Sequence, residues 1–304
     1  MRPRAHMASL RSTPPSCKLA VMRTGCADRL AVVSLAALFA CAVPRVSSTG
    51  DEATVAAEVR GPGLLFEVRY PRAESGEAAR IEGGLLAAGE RISRWGTFRH
   101  GVTVRILPDH AALEALVGLH GYPWLRAWAF GEQILLQSPR SWSDPAAIDD
   151  VSELLAHELT HALMYQLLQP PEGGLPDEPP LWFREGMASV TAGQGHRRLG
   201  LDDLRKWQSA HPDKDLLRPD AELYRTEKEA VYAAAHRAFE LLVALRGDQA
   251  VRDVLRGVRS GARFEDAFAA ATAHPLAMFE AEAVRSGYST ASFRSPMPLG
   301  AGGP

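Results

Sequence analysis

The sequence predicts an α+β fold, a small N-terminal α/β subdomain with an edge strand over a mainly helical half. Three observations lead there. The apolar runs Leu64 to Tyr70 and Val102 to Leu107 have strand length and are separated by a stretch of helical period, about Ser75 to Trp95. From Asp144 onward the apolar spacing is helical. Pro170 and Pro171, then Gly193 and Gly195, punctuate that half, the prolines by removing amide donors and the glycines by accepting left-handed backbone.

Residues 1–50 stand apart as a leader. They carry seven basic residues against Asp28 alone, and the apolar run Leu30 to Val43 is too short to cross a bilayer comfortably, which reads as a secretory signal. Met22 is an alternative start that keeps Arg23 and Arg29 as the positive flank. A buried core helix is the competing account, but nothing before the run has a globular pattern. Leu38, Phe39, Ala40 and Cys41 read as a lipoprotein box, which would put a lipid anchor on Cys41; Ala40, Cys41 and Ala42 read equally as an ordinary cleavage site. Either way the protein is expected in the cell envelope or outside it, with the membrane a partner only through such an anchor.

With the leader removed, the formal charge moves from −2 to −8. No basic stripe interleaved with aromatics is present, so nucleic acid is excluded as a partner. Cys17, Cys26 and Cys41 all lie in the leader. Thiol catalysis, thiolate metal sites and internal disulfides are thereby excluded from the folded part.

After a polar joint at 46–53 comes the α/β subdomain, residues 51–140. A helix is expected after Asp109, then a strand over Ala127 to Gln137, interrupted at Gly131 and closed by Pro139. Its portion Glu132 to Gln137 is expected to be the edge that a ligand meets. The helical half, 141–286, begins with Asp144 as N-cap and Pro145 at the first helical position and runs to Gln169. Leu181 to Ala192 makes a second helix. Glu227 to Arg246, Gln249 to Val258, Phe264 to Ala271 and a short helix follow, then a polar tail, 287–304. No internal repeats occur.

The first long helix contains His157, Glu158, Leu159, Thr160 and His161. Residues four apart share a helical face, so both imidazoles can reach one metal ion, and Glu158 lies beside that face. Zinc needs a third protein ligand to be catalytic. Met164 and Leu167 stand where a metzincin would place its Gly and third His. The better candidate is Glu185, 24 residues beyond His161 and set among large apolar residues where an uncompensated carboxylate would be costly. Glu178, Asp177 and His196 are its rivals. The bland alternative for the histidines is an ordinary position on an amphipathic helix.

The sequence around Glu185 (Trp182, Phe183, Arg184, Glu185, Gly186, Met187, Ala188), downstream of the HExxH motif, resembles the gluzincin peptidases. The likeness is strongest to peptidase MA-like domains related to the aminopeptidase N family, over roughly residues 125–285. It implies a thermolysin-like catalytic domain with Glu185 as the third zinc ligand and Zn2+ as cofactor. It also implies that Tyr232, in the helix YAAAHRAFELL, stabilises the transition state, although the family's Lys and Gly after that tyrosine are here Ala234 and Ala235. The segment with which family aminopeptidases hold a substrate's amino terminus is replaced by Arg126, Ala127, Trp128, Ala129 and Phe130. Endopeptidase action is therefore favoured over strict aminopeptidase action.

The expectation is a zinc-dependent peptidase that acts on a peptide or protein through a metal-activated water, with Glu158 as general base. The alternatives are a catalytically silent peptide-binding envelope protein and a zinc hydrolase on a non-peptide bond. Intact Glu158 argues against the first.

Overall fold

The computed structural model describes residues 54–61, 64–142 and 151–293. The leader with Cys41, the helix start at Asp144 and Pro145, and the tail from 294 lie outside the described residues. Five strands form one sheet: β1 (Thr54–Gly61), β2 (Leu64–Pro71), β3 (Val102–Leu107), β4 (Ala127–Phe130) and β5 (Gln133–Gln137), in the order β1-β2-β3-β5-β4. The β2/β3 and β3/β5 pairs are parallel and the two outer pairs antiparallel. The α+β architecture is as the sequence predicts. β1, an alternating strand that ends at Gly61, is an addition.

The helices are α1 (Ser75–Ile92), α2 (His110–Val117), α3 (Val151–Leu168), α4 (Leu181–Ala192), α5 (Leu201–Ala210), α6 (Ala221–Thr226), α7 (Lys228–Arg259), α8 (Phe264–Thr272) and α9 (Leu276–Arg285). Local chemistry explains their ends. Asp109 caps α2 by accepting from the Ala112 amide at 2.9 Å, and Gly193 closes α4 at φ 74°. Gly247, at φ 75° and ψ 169°, divides α7 near the junction expected between Arg246 and Gln249. α5 and α6 are additions to the helices that the sequence predicts. No helix among the described residues is long and apolar enough to cross a membrane.

The segment Glu132 to Gln137 does not form the expected sheet edge, because β5 is hydrogen-bonded on both sides, to β3 and to β4. The free edge beside the helical half is β4, joined to β5 by a tight turn in which Gly131 takes φ 56°. Gln137 donates to the Arg126 carbonyl at 2.9 Å, so the pairing alternation turns the main-chain groups of Ala127 and Ala129 outward.

α1 and α3 cover one face of the sheet and α2 the other. A contiguous core runs from Val59 through Leu85, Leu155, Leu163 and Phe239 to Tyr288. α3 is buried nearly all round, as expected of a helix set between a sheet and other helices. Beneath it, Trp182, Phe183, Phe239, Phe264, Phe268 and Phe279 pack with ring centroids 5.0 to 6.3 Å apart, each such pair adding about 0.5–1.5 kcal/mol beyond the area it buries. Gly186 sets the α4–α7 distance. A Cβ there would collide with the Ala235 carbonyl oxygen and lie 2.6 Å from the Phe239 Cβ.

Candidate metal centre

α3 and α4 lie side by side, which brings His157, His161 and Glu185 together although the last is 24 residues further along the chain. The His157 and His161 Nε2 atoms are 3.2 Å apart, and Glu185 Oε2 is 3.3 Å from the first and 3.7 Å from the second. Zinc bonds of about 2.0–2.2 Å in tetrahedral geometry put ligand atoms roughly 3.3 Å apart, close to what is seen.

The hydrogen bonds around this triangle explain its orientation. Gln194 Oε1 lies 3.1 Å from His157 Nδ1 and also accepts from Arg198 Nη2 at 2.6 Å. A guanidinium can only donate, so the amide oxygen faces His157, Nδ1 carries the hydrogen, and the Nε2 lone pair is left facing Glu185 and His161. Glu185 Oε2 is buried without a hydrogen-bond donor. An orphaned carboxylate oxygen facing two imidazole nitrogens is a donor set that suits zinc.

Burial pushes the Glu185 carboxyl up, but His161 and His157 outweigh it and hold the group well below the usual carboxylate range. At His161 burial works against protonation, and the adjacent Glu185 nevertheless raises the imidazole above its ordinary value. Glu158 behaves differently. Only 7% exposed, it is pushed up by burial, with Glu185 reinforcing and His157, His161 and the Ala129 amide opposing. Its carboxyl is thus within reach of both the His157, His161 and Glu185 cluster and the Ala129 amide of β4. Ala127 and Ala129, small residues facing the helices, let α3 approach that edge.

Tyr232 lies on α7 with its hydroxyl 3.0 Å from that of Tyr224. Burial, the charge of Glu185 and Tyr224 push its phenol well above the ordinary value, against the pull of Arg198. His236, a turn further on, is buried and bonded to Ser189 Oγ at 2.9 Å. The rivals of Glu185 are engaged elsewhere: Glu178 pairs with Arg184 at 2.6 Å, Asp177 accepts from the Phe264 amide at 2.6 Å, and His196 lies 3.8 Å from Glu153. Gln194, Arg198 and Tyr224 are absent from the sequence-derived site. The available signal was slight, a glutamine between the two glycines that end α4.

No family model matches the chain, and neither does any curated protein. Among solved structures it is similar to Legionella pneumophila aminopeptidase A in complex with aspartic acid, at a TM-score of 0.49 and 15% identity over 76% of this chain and 28% of that one. It is likewise similar to an M1 zinc metallopeptidase from Deinococcus radiodurans, at 0.40 and 14% over 81% and 53%. A third is an aminopeptidase N family protein from Idiomarina loihiensis, at 0.40 and 14% over 71% and 43%. Its structural neighbours are aminopeptidase N family zinc metallopeptidases. The chain spans between about a quarter and about half the length of these proteins.

Proposed function

We propose that this chain is a zinc-dependent peptidase in which His157, His161 and Glu185 hold the metal. The observation that carries the reading is the convergence of two imidazole nitrogens and an orphaned carboxylate oxygen within 3.7 Å, with a second buried carboxyl, Glu158, alongside. Zinc held there would lower the pKa of a water to about 7 and polarise a peptide carbonyl.

The chain's own groups supply the rest. Glu158, raised by burial toward the operating range of a general base, takes the proton of the attacking water. Tyr232, whose phenol stays protonated, donates to the oxygen that becomes negative, and Tyr224 holds its hydroxyl in place. The outward main-chain groups of β4 pair with an extended substrate, which suits cleavage within a peptide. Residues 1–50, with the pattern of a secretory leader, put this activity in the envelope or outside the cell.

The test is a peptide-library digest with zinc measured in the same preparation. Cleavage that stops on chelation and returns with zinc supports the reading. Absence of zinc after reconstitution overturns it, and zinc with bound but uncut peptide makes the protein a silent binder.

A further inference from the structure

Beside the metal centre the side chains form a wall with two properties together. It is aromatic: the Trp124 ring centroid lies 6.5 Å from that of Tyr224 and 6.4 Å from that of Tyr232, and Tyr122 meets Trp124 edge-on at 5.6 Å. It is also cationic. Lys228 Nζ lies 4.8 Å from the Trp124 ring centre, and Arg198 Cζ lies 5.1 Å from that of Tyr232.

These cations lack the partners that the protein gives to others. Arg94 is paired with Asp248, Arg184 with Glu178 and Arg263 with Asp266. Among the described residues, no carboxylate forms an ion pair with Arg198, Lys228 or the nearby Arg126. Arg198 donates to the neutral Gln194 and Ser189, and Arg126 donates to the Pro123 carbonyl at 2.9 Å. Lys228 is partly buried and, while Glu229 offsets the effect, Arg126 and Arg198 both act on it as like charges. In a chain whose residues 51–304 carry a formal −8, three neighbouring cations with no carboxylate in ion-pair contact among the described residues are not a default surface, although Glu185, Glu153 and Glu229 act on them from further away. The arrangement leaves a positive field over aromatic faces within reach of Glu185, whose charge acts on Arg198, Tyr224 and Tyr232. Its sign is wrong for holding a substrate's ammonium group.

We propose that Lys228 and Arg198, set on the Trp124 and Tyr232 rings, form with the neighbouring Arg126 a carboxylate-binding subsite that selects peptides presenting an anion close to the cleaved bond. This rests on the peptidase reading. The anion has two sources of the same chemistry, an acidic side chain or the peptide's terminal carboxylate.

The experiment uses four quenched fluorescent hexapeptides, with Glu at both positions flanking the bond or Gln at both, each with a free or an amidated C-terminus. The expected result is kcat/KM about tenfold higher for the anionic member of one pair, as one charge-assisted contact gives. A Glu over Gln preference identifies the side chain, and a free-acid over amide preference the terminus. Lys228→Gln and Arg126→Gln, both at partly exposed positions, should each bring that ratio toward one, through KM more than kcat, and raised salt should do the same. Equal rates for all four peptides would overturn the subsite and leave the peptidase intact. If no peptide is cut, the peptidase reading falls instead, and affinities of the same peptides for the zinc-loaded protein decide the subsite: a preference for the anionic peptide that Lys228→Gln removes supports it, and equal affinities refute it.

Discussion

Gln194 holds His157 from behind, its amide oxygen 3.1 Å from Nδ1 and locked in that direction by Arg198. Outer partners of this kind fix the tautomer and ring orientation of a metal-binding histidine, and their loss commonly weakens metal binding by about 10–100-fold. Gln194→Ala should therefore lower zinc affinity by about that factor in a chelator competition, whereas Gln194→Glu, which keeps an acceptor, should retain most of it. Equal affinity in the alanine variant would show that His157 needs no such partner.

Glu158→Gln separates chemistry from metal binding. Glu158 is beside the triangle but not in it, so the variant should keep zinc and fold. Hydrolysis should drop by about 100–10,000-fold, because an amide cannot accept the water's proton. Tyr232→Phe should slow turnover less and leave KM nearly unchanged, as expected for a contact realised in the transition state. Side-by-side kinetics and elemental analysis check both, and unchanged cleavage by Glu158→Gln would refute the mechanism.

Glu185→Ala should lose zinc under dialysis while Glu178→Ala keeps it, since Glu178 is already paired with Arg184. The reverse result would move the third ligand to the loop before α4.

Two glycine substitutions should have opposite signs. Gly186→Ala forces a methyl group into the α4–α7 contact and should cost about 1–3 kcal/mol in denaturant unfolding, with weaker zinc retention because Glu185 is its neighbour. Gly83, inside α1, has open space where a Cβ would go, so Gly83→Ala should stabilise by roughly 0.4–1 kcal/mol.

A lipid anchor at Cys41 would hold the protein in the membrane fraction, and Cys41→Ser should then release it to the soluble fraction. Equal partitioning of the two forms would assign simple leader cleavage.

What the sequence discloses follows how local each signal is. α3 and α4 are legible because their candidate ligands, stops and apolar faces lie within a few turns of one another, and Gly193 ends α4 as read. Strand order is not local. A glutamine-flanked apolar run resembles an edge, yet β5 is interior because β4 folds back on it through Gly131. α5 escapes notice because Leu204 is its one buried residue, and α6 because it is only six residues long. The clustering of His157, His161 and Glu185 could be anticipated from spacing and burial cost. Gln194 could not, since its meaning lies in a ring 37 residues earlier.

The short β4 edge also governs what the protein must avoid. An open strand can accept a neighbour's strand as well as a ligand's, and long flat edges nucleate aggregates. Four residues, two of them with outward main-chain groups and one of those amides already engaged by Glu158, leave backbone enough to hold a short peptide stretch but not to template a growing sheet. That brevity protects the protein at high local concentration and shifts the work of discrimination to the side chains beside the edge.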